Sequence, residues 1–283
     1  MKKSLRHGIN IKKSIAAIII VGLMVACGIM SACARRQCTA KPLLTSPWGD
    51  NYAYSYTLPE QKTPVSVQAT IAVVSPYYKE AETALIDPAY SKVAKGFSKS
   101  MAVDLDRILV AKSMTVKGPF ATIEDMTYPD KKGADLTLTP RVFITTYIKD
   151  GPWQIDRCSK RMERDFEMRI GGWIAFEMRE PLSNEKIWIK KMELEDIVVR
   201  DVEVYEAAPQ RYEASGGPGP LRRERVSAWK TGEPLYSGKV NAIADALKKV
   251  YPTVMEKFWT YINTEEILNL KTKTKEIRDL KRY

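Results

Sequence analysis

Twenty consecutive residues, 15–34, read IAAIIIVGLMVACGIMSACA and carry no charge, behind a polar stretch holding Lys2, Lys3, Arg6, Lys12 and Lys13. Positive residues, an apolar run and then small residues are the order of a secretory signal. The alternative is an uncleaved anchor, since about 20 apolar residues can span a bilayer. Both readings send the rest of the chain out of the cytoplasm. The whole sequence of 283 residues is 45% hydrophobic and 28% charged, which excludes a disordered or polytopic chain. The chain beyond the leader has room for one large domain or two small ones. The single histidine, His7, belongs to the leader. The exported chain therefore has no imidazole, which excludes Ser-His-Asp and Cys-His catalysis and histidine-ligated zinc. The formal net charge of +11 falls to +6 when the five leader cations leave. An excess of that size permits acidic partners without demanding one.

The sequences Met24-Val25-Ala26-Cys27 and Met30-Ser31-Ala32-Cys33 each set a small residue before a thiol. Both resemble the signal of bacterial lipoproteins, in which a cysteine becomes the lipidated first residue. Cys33 is preferred and Cys27 is the alternative. Ser31 and Ala32 are both small, whereas Cys27 follows the branched Val25, and a start at Cys27 would expose Gly28-Ile29-Met30. The expected division is a signal peptide over residues 1–32, a lipidated N-terminus and tether over 33–64, a globular domain over 65–263 and a basic helical tail over 264–283. Acyl chains then hold the protein on a membrane without a spanning helix. Cleavage before Cys33 leaves Cys38 and Cys158. In an oxidising compartment these either pair or stay as two free thiols.

The tether contains Trp48, Tyr52, Tyr54 and Tyr56 interleaved with polar residues, a period of two that fits a short edge strand or an aromatic ladder. Residues 65–75 read as a buried strand ended by Pro76. Asp87-Pro88 then starts a helix whose Val93, Phe97, Met101, Leu105, Ile108 and Leu109 share one face. Short strands are expected over 115–120 and 135–148. The clearest hairpin spans 171–194, with Trp173, Ala175, Glu177 and Arg179 on one face, Ile174, Phe176 and Met178 on the other, and Pro181-Leu182-Ser183-Asn184 as the turn. A further strand is expected over 197–205. Residues 206–236 break the pattern with a glycine- and proline-rich loop, whose spacing does not match a phosphate-binding loop. A long apolar stripe from Val240 to Ile262 closes the core, interrupted by Pro252, which should kink or split it. Asn263, with Glu266 three residues on, caps a last basic helix that projects, docks a partner or touches anionic lipid. The fold class is α+β: a strand-helix-strand unit continuing into a mainly antiparallel sheet, closed by a long C-terminal amphipathic helix.

Taken in order, the leader, Ile71-Ala72-Val73-Val74-Ser75-Pro76-Tyr77, Gly133-Ala134-Asp135-Leu136-Thr137-Leu138-Thr139-Pro140, the hairpin from Gly172 to Ser183, and Met192-Glu193-Leu194-Glu195-Asp196-Ile197 resemble the neuraminyllactose-binding haemagglutinin family. The resemblance covers roughly residues 65–283. It implies an outer-membrane lipoprotein, a sialic-acid-binding adhesin and a flagellar-sheath component. One departure is plain. The family's proposed sugar-binding segment has the form K-R-T-I-Q-K-K, and here the matching stretch is Arg141-Val142-Phe143-Ile144-Thr145-Thr146-Tyr147, in which only Arg141 can stand in for part of it.

A sialylated glycan needs a cation for its carboxylate and a flat aromatic for its apolar face. The candidates are Arg141, Arg157 and Arg161 with Trp153. The leading expectation is thus a binding or adhesion module of the outer membrane. The alternative is a non-enzymatic envelope scaffold, of a flagellar sheath or secretion type, that binds other envelope proteins or its own copies. Paired carboxylates such as Asp201 and Glu203 can in principle support glycoside hydrolysis, but on an alternating strand they read as a wet face. No cofactor, metal ion or nucleic acid is expected.

Overall fold

The computed structural model describes residues 41–49, 51–60, 68–78, 83–156, 158–211 and 226–281. The chain divides into two compact units, Met1–Lys41 and Pro42–Tyr283, and every element of the sheet and its helices belongs to the second. The leader, Cys27, Cys33, Cys38, Arg157 and the glycine-rich loop of residues 215–220 lie outside the described residues.

In chain order the elements are β1 (Thr70–Val74), β2 (Tyr77–Tyr78), α1 (Ser91–Ala111), β3 (Thr115–Phe120), α2 (Tyr128–Lys132), β4 (Leu136–Asp150), β5 (Gln154–Asp156), β6 (Arg161–Arg179), β7 (Lys186–Arg211), β8 (Val226–Ser237), α3 (Gly238–Tyr261) and α4 (Thr264–Lys281). They form one eight-stranded sheet in the order β3-β1-β4-β6-β7-β8, with β2 added to β4 and β5 to β6. β3-β1-β4 and the β2–β4 pair are parallel, whereas β4-β6-β7-β8 and the β5–β6 pair are antiparallel. This is the expected α+β fold. No described helix is long and apolar enough to cross a membrane.

The periodicities explain the layers. Leu136, Leu138, Val142 and Ile144 of β4 and Ile174, Phe176 and Met178 of β6 are buried in one cluster with Phe97, Met101 and Leu105 of α1 and Leu247, Tyr251, Met255 and Phe258 of α3. Each side chain of this size contributes about 1.5–3 kcal/mol when fully buried. Strand alternation therefore turns Thr139, Arg141 and Phe143, and Trp173, Ala175, Glu177 and Arg179, to the face away from these helices. Asp87 caps the approach to α1 by accepting from the Ala89 amide at 2.9 Å. Asn263 accepts from the Glu266 amide at 2.8 Å and starts α4 as expected.

Four expectations change. Pro252 does not split the closing helix, which runs unbroken from Gly238 to Tyr261. Pro252 lies on its exposed side, where water can take the carbonyl the proline leaves unpaired, while the buried Tyr251, Val254 and Met255 hold the helix on the sheet. The hairpin's return arm and the strand expected over 197–205 are one strand, β7. A register shift opposite Gly171 absorbs the change of phase, with Ile170 facing Ile197 and Gly172 facing Leu194. The break over 206–236 contains β8, whose Val226–Ser237 pairs with residues 203–211 of β7.

The fourth change concerns the tether. Residues 42–60 belong to the compact domain, and Tyr52, Tyr54 and Tyr56 are buried in its core. The segment's described residues form no strand; they turn at 47–49, and Trp48 stacks on Tyr52 with ring centroids 5.6 Å apart. The Tyr54 amide donates to Ser100 Oγ at 2.9 Å and the Tyr56 amide to Asp104 Oδ2 at 3.0 Å. Tyr251 Oη of α3 donates to the same carboxylate oxygen at 2.8 Å. The tyrosines thus strap α1 to α3. The basic tail is docked as well. Ile267, Leu270 and Thr274 of α4 are buried, and Arg278 pairs with the fully buried Glu180 at 2.8 Å.

Candidate functional site

Of the predicted ligand-binding residues, Arg157 lies outside the described residues, and Arg141 lies far from Arg161 and Trp153. Arg141 lies on β4 opposite Ala175 of β6, whereas Arg161 opens β6 opposite Asp156. Fourteen residues of one strand separate Arg161 from Ala175, on the order of 45 Å along the sheet. Trp153 just precedes β5, at Arg161's end. Its ring meets the Arg164 guanidinium at 4.5 Å and the Tyr205 ring edge-on at 5.5 Å. Arg164 is bound in turn to Asp150 and Glu203, each at 2.9 Å, and Lys239 bridges the same two acids. Two cations against two carboxylates close that cluster on itself. Asp201, the strand neighbour of Glu203 in the carboxylate pair, accepts from Tyr236 Oη at 2.9 Å. Cys158 is disulfide-bonded, and Cys38, its partner in one of the two alternatives, lies outside the described residues.

Arg141 opens onto a cavity. β1 is a short parallel strand, and Pro76, with no amide hydrogen, helps to end it. The last bond there runs from the Ser75 amide to the Phe120 carbonyl at 2.8 Å. β4 and β6 continue well beyond that point, and β2 rejoins β4 at Arg141 and Val142. Where the short strands run out beside the long ones, a cleft of about 730 Å³ opens. It lies at the carboxyl ends of parallel strands, the place where open α/β sheets commonly hold ligands. Tyr77, Thr139, Arg141, Glu177, Arg179 and Glu124 give it its polar character.

Glu177 is the electrostatic centre. Its side chain is 1% exposed, yet it stays ionised. Burial pushes its carboxyl upward, but hydrogen bonds from Arg179, Arg141 and Lys186 outweigh that and hold it at about 2. Arg141 Nη1 donates to Oε1 at 2.9 Å, Arg179 Nη2 to Oε2 at 2.8 Å, and Lys186 Nζ lies 3.1 Å from Oε1. The carboxylate therefore pins its cations in place. Arg179 also donates to the Asn184 backbone and side-chain oxygens at 3.3 Å. The half-exposed ring of Tyr77 stands 5.5 Å from the Arg141 guanidinium carbon. Two buried polar atoms of the lining, Arg141 Nε and Thr139 Oγ1, have no hydrogen-bond partner.

This arrangement can hold an anion. It is poorly suited to proton transfer, because the buried carboxylate is committed to three cations. Among the described residues no group of three or more His, Cys, Asp or Glu side chains is placed to hold a metal ion. Glu177, Arg179, Tyr77 and Thr139 were not among the sequence candidates. Their only signal was an every-second-residue pattern, Thr139 with Arg141 and Glu177 with Arg179, which reads equally as a solvated face.

No protein-family model and no curated protein matches the sequence. Among solved structures, a protein described as a neuraminyllactose-binding hemagglutinin homolog from Helicobacter pylori is 16% identical with a TM-score of 0.48, over 77% of this chain and 97% of that chain. Protein XCC0632 from Xanthomonas campestris is 8% identical with a TM-score of 0.32, over 80% and 98%. Lipoprotein GNA1162 from Neisseria meningitidis is 14% identical with a TM-score of 0.22, over 47% and 83%. These are distant likenesses of shape, and none assigns a ligand, a partner or a location to this chain.

Proposed function

We propose that the chain is a lipid-anchored protein of the outer membrane that works by binding, with the Arg141 cleft as its site and sialylated glycans as the first ligand class to test. The observation that carries the reading is a cavity whose cations are fixed by a buried, fully committed carboxylate, while two polar atoms of its lining stay unpartnered. A buried polar group without a partner costs free energy that a bound ligand can recover. Tyr77 supplies the flat aromatic surface that a sugar ring needs.

The test is a titration of the leader-free chain with sialyllactose and with lactose, at low and at physiological salt. Saturable binding of the sialylated sugar alone, persisting at physiological salt, is the expected outcome. Equal binding of both sugars, or binding lost with salt, would leave only general sugar or charge attraction.

The second reading is an envelope scaffold. It draws on the outer edge of β7, where residues 186–202 have no strand neighbour among the described residues, because β8 pairs only with residues 203–211. An unpaired strand edge can add a strand from another chain. Sedimentation of the leader-free chain decides here. Concentration-dependent association without glycan binding favours the scaffold, and a monomer at all concentrations removes the self-assembling form of it.

A further inference from the structure

We propose that Arg141 reads the ligand's charge as a planar carboxylate, taken side-on by the Nε–H and Nη2–H edge of its guanidinium, so that the cleft selects a hydroxylated monocarboxylate. The proposal rests on the cleft being the binding site and adds the atoms that choose the ligand.

A guanidinium offers two forked edges to oxygen pairs. In Arg141 the bond to Glu177 uses Nη1. Nε is buried with no partner, and Nη2 makes no hydrogen bond among the described residues. The side-on edge, made of Nε and Nη2, is thus the one left over. Its two parallel donors match the two oxygens of a carboxylate. The group is also held in orientation. Glu177 fixes the Nη1 side, and the ring of Tyr77 stands over the guanidinium. Such a receptor loses little freedom on binding. Because Nε is buried, binding requires a neighbour to move aside, and the 44%-exposed ring of Tyr77 is the one that stands against the guanidinium.

Net charge selects among anions. Arg141, Arg179 and Lys186 against Glu177 and the lining Glu124 leave one positive charge, which suits a monoanion better than a phosphate dianion. Thr139 Oγ1, two residues before Arg141 on the same sheet face, is the second unpartnered atom. A hydroxyl can donate or accept, so it serves a hydroxyl or carbonyl oxygen beside the carboxylate. Sialic acid and uronic acids share that chemistry.

The experiment uses the leader-free chain with its arginines labelled with nitrogen-15. The ligands are N-acetylneuraminic acid, glucuronic acid, the methyl ester of each, glucose and inorganic phosphate. Saturation by at least one acid should move the Arg141 Nε–H resonance downfield. Its ester should bind about tenfold or more weakly, since it presents no carboxylate. Arg141→Lys keeps a point charge but not the fork, and should lose about tenfold in affinity. Thr139→Val, nearly isosteric, should lose a smaller factor for the same acid and guards against a lysine variant that fails to fold. The two acids compared tell which source of carboxylate the cleft prefers. If an acid saturates the protein but its ester binds equally well, or the Arg141 resonance stays still, the fork is wrong and the cleft reading survives. If phosphate outcompetes both acids, the carboxylate assignment falls. If no acid saturates the wild-type chain, both the fork and the cleft reading fall.

Discussion

At the scale of single residues, Glu177 decides most. Its pKa is held at about 2, below the ordinary carboxylate value, so the folded protein binds the proton more weakly than the unfolded chain does. The stabilisation is therefore present above the unfolded pKa and is lost as pH falls through the folded value. Unfolding free energy should drop between about pH 5 and pH 2, by roughly 3 kcal/mol from this group. Glu180, also held below its usual range, adds to the same acid limb. The clean measurement is thus the difference between wild type and Glu177→Gln in urea titrations at several pH values. At neutral pH the variant should be less stable by about 2 kcal/mol, a discounted value because the three abandoned cations are partly exposed. Its acid slope should be shallower. Equal slopes would show that Glu177 does not titrate as described. The sequence made part of this legible. Alternation placed Glu177 and Arg179 on one face, and Arg141 stood out as the one residue matching part of the segment the resemblance ties to sugar binding. It could not show that Arg141 faces Ala175 across two strands, so the ion cluster stayed hidden. Arg157 and Arg161 were candidates, with Trp153, as the cations for a glycan carboxylate. The turn into β6 instead brings Arg164 up to Trp153.

At the scale of elements, the strap of residues 42–60 is the main addition. Gly96 of α1 tests it with a sign that separates two explanations. In an ordinary helix interior Gly→Ala stabilises by up to about 1 kcal/mol. Here a Cβ on Gly96 would run into the Tyr52 carbonyl oxygen of the strap. Gly96→Ala should therefore destabilise, by about 1–3 kcal/mol, and should open the strap to limited proteolysis. A more stable variant would mean that the strap does not lie on α1. The tail offers a second test. Arg278 pairs with Glu180, whose side chain is fully buried, and also donates to the Lys131, Lys132 and Ala134 carbonyls. Arg278→Ala should cost about 2–4 kcal/mol, because it leaves a buried carboxylate unpaired. Amide exchange in α4 should rise more than in α1, and an even rise across both helices would argue against local release of the tail. Elements with a strong period, such as α1, β4 and the β6–β7 hairpin, were legible because one face of each must be buried. The strap was not. An alternating tyrosine run looks the same as an edge strand, a ladder or a strap. The choice between them rests on a groove that distant segments build, as when Ser46 bonds Asn241, 195 residues away.

At the scale of the whole domain, the cleft and the contacts of Ser46 and Trp48 lie at different levels along α3, on opposite faces of the sheet. Ser46 and Trp48 bond Asn241 and Asp245 in the first turns of α3. The last turns of α3 pack Phe258 against Phe176, the neighbour of Glu177, with ring centroids 4.4 Å apart. Seventeen residues of helix separate Asn241 from Phe258, about 25 Å along the axis. The other end of the chain comes back to the cleft. Lys281 pairs with Glu185 at 3.0 Å, next to the Lys186 that binds Glu177. Attachment through the N-terminal side would thus leave the cleft clear of a surface, and attachment through the C-terminal side would crowd it. This geometry suits the proposed N-terminal lipid anchor and makes it testable without the lipid. Two versions of the leader-free chain, tagged at one end or the other, can be held on vesicles that carry a chelating lipid. A sialylated glycoprotein that binds the free chain should bind the N-terminally held form equally well and the C-terminally held form more slowly and more weakly. The opposite order would place the site on the membrane-facing side and remove the case for a displayed adhesin. No difference would mean that neither end shields the cleft.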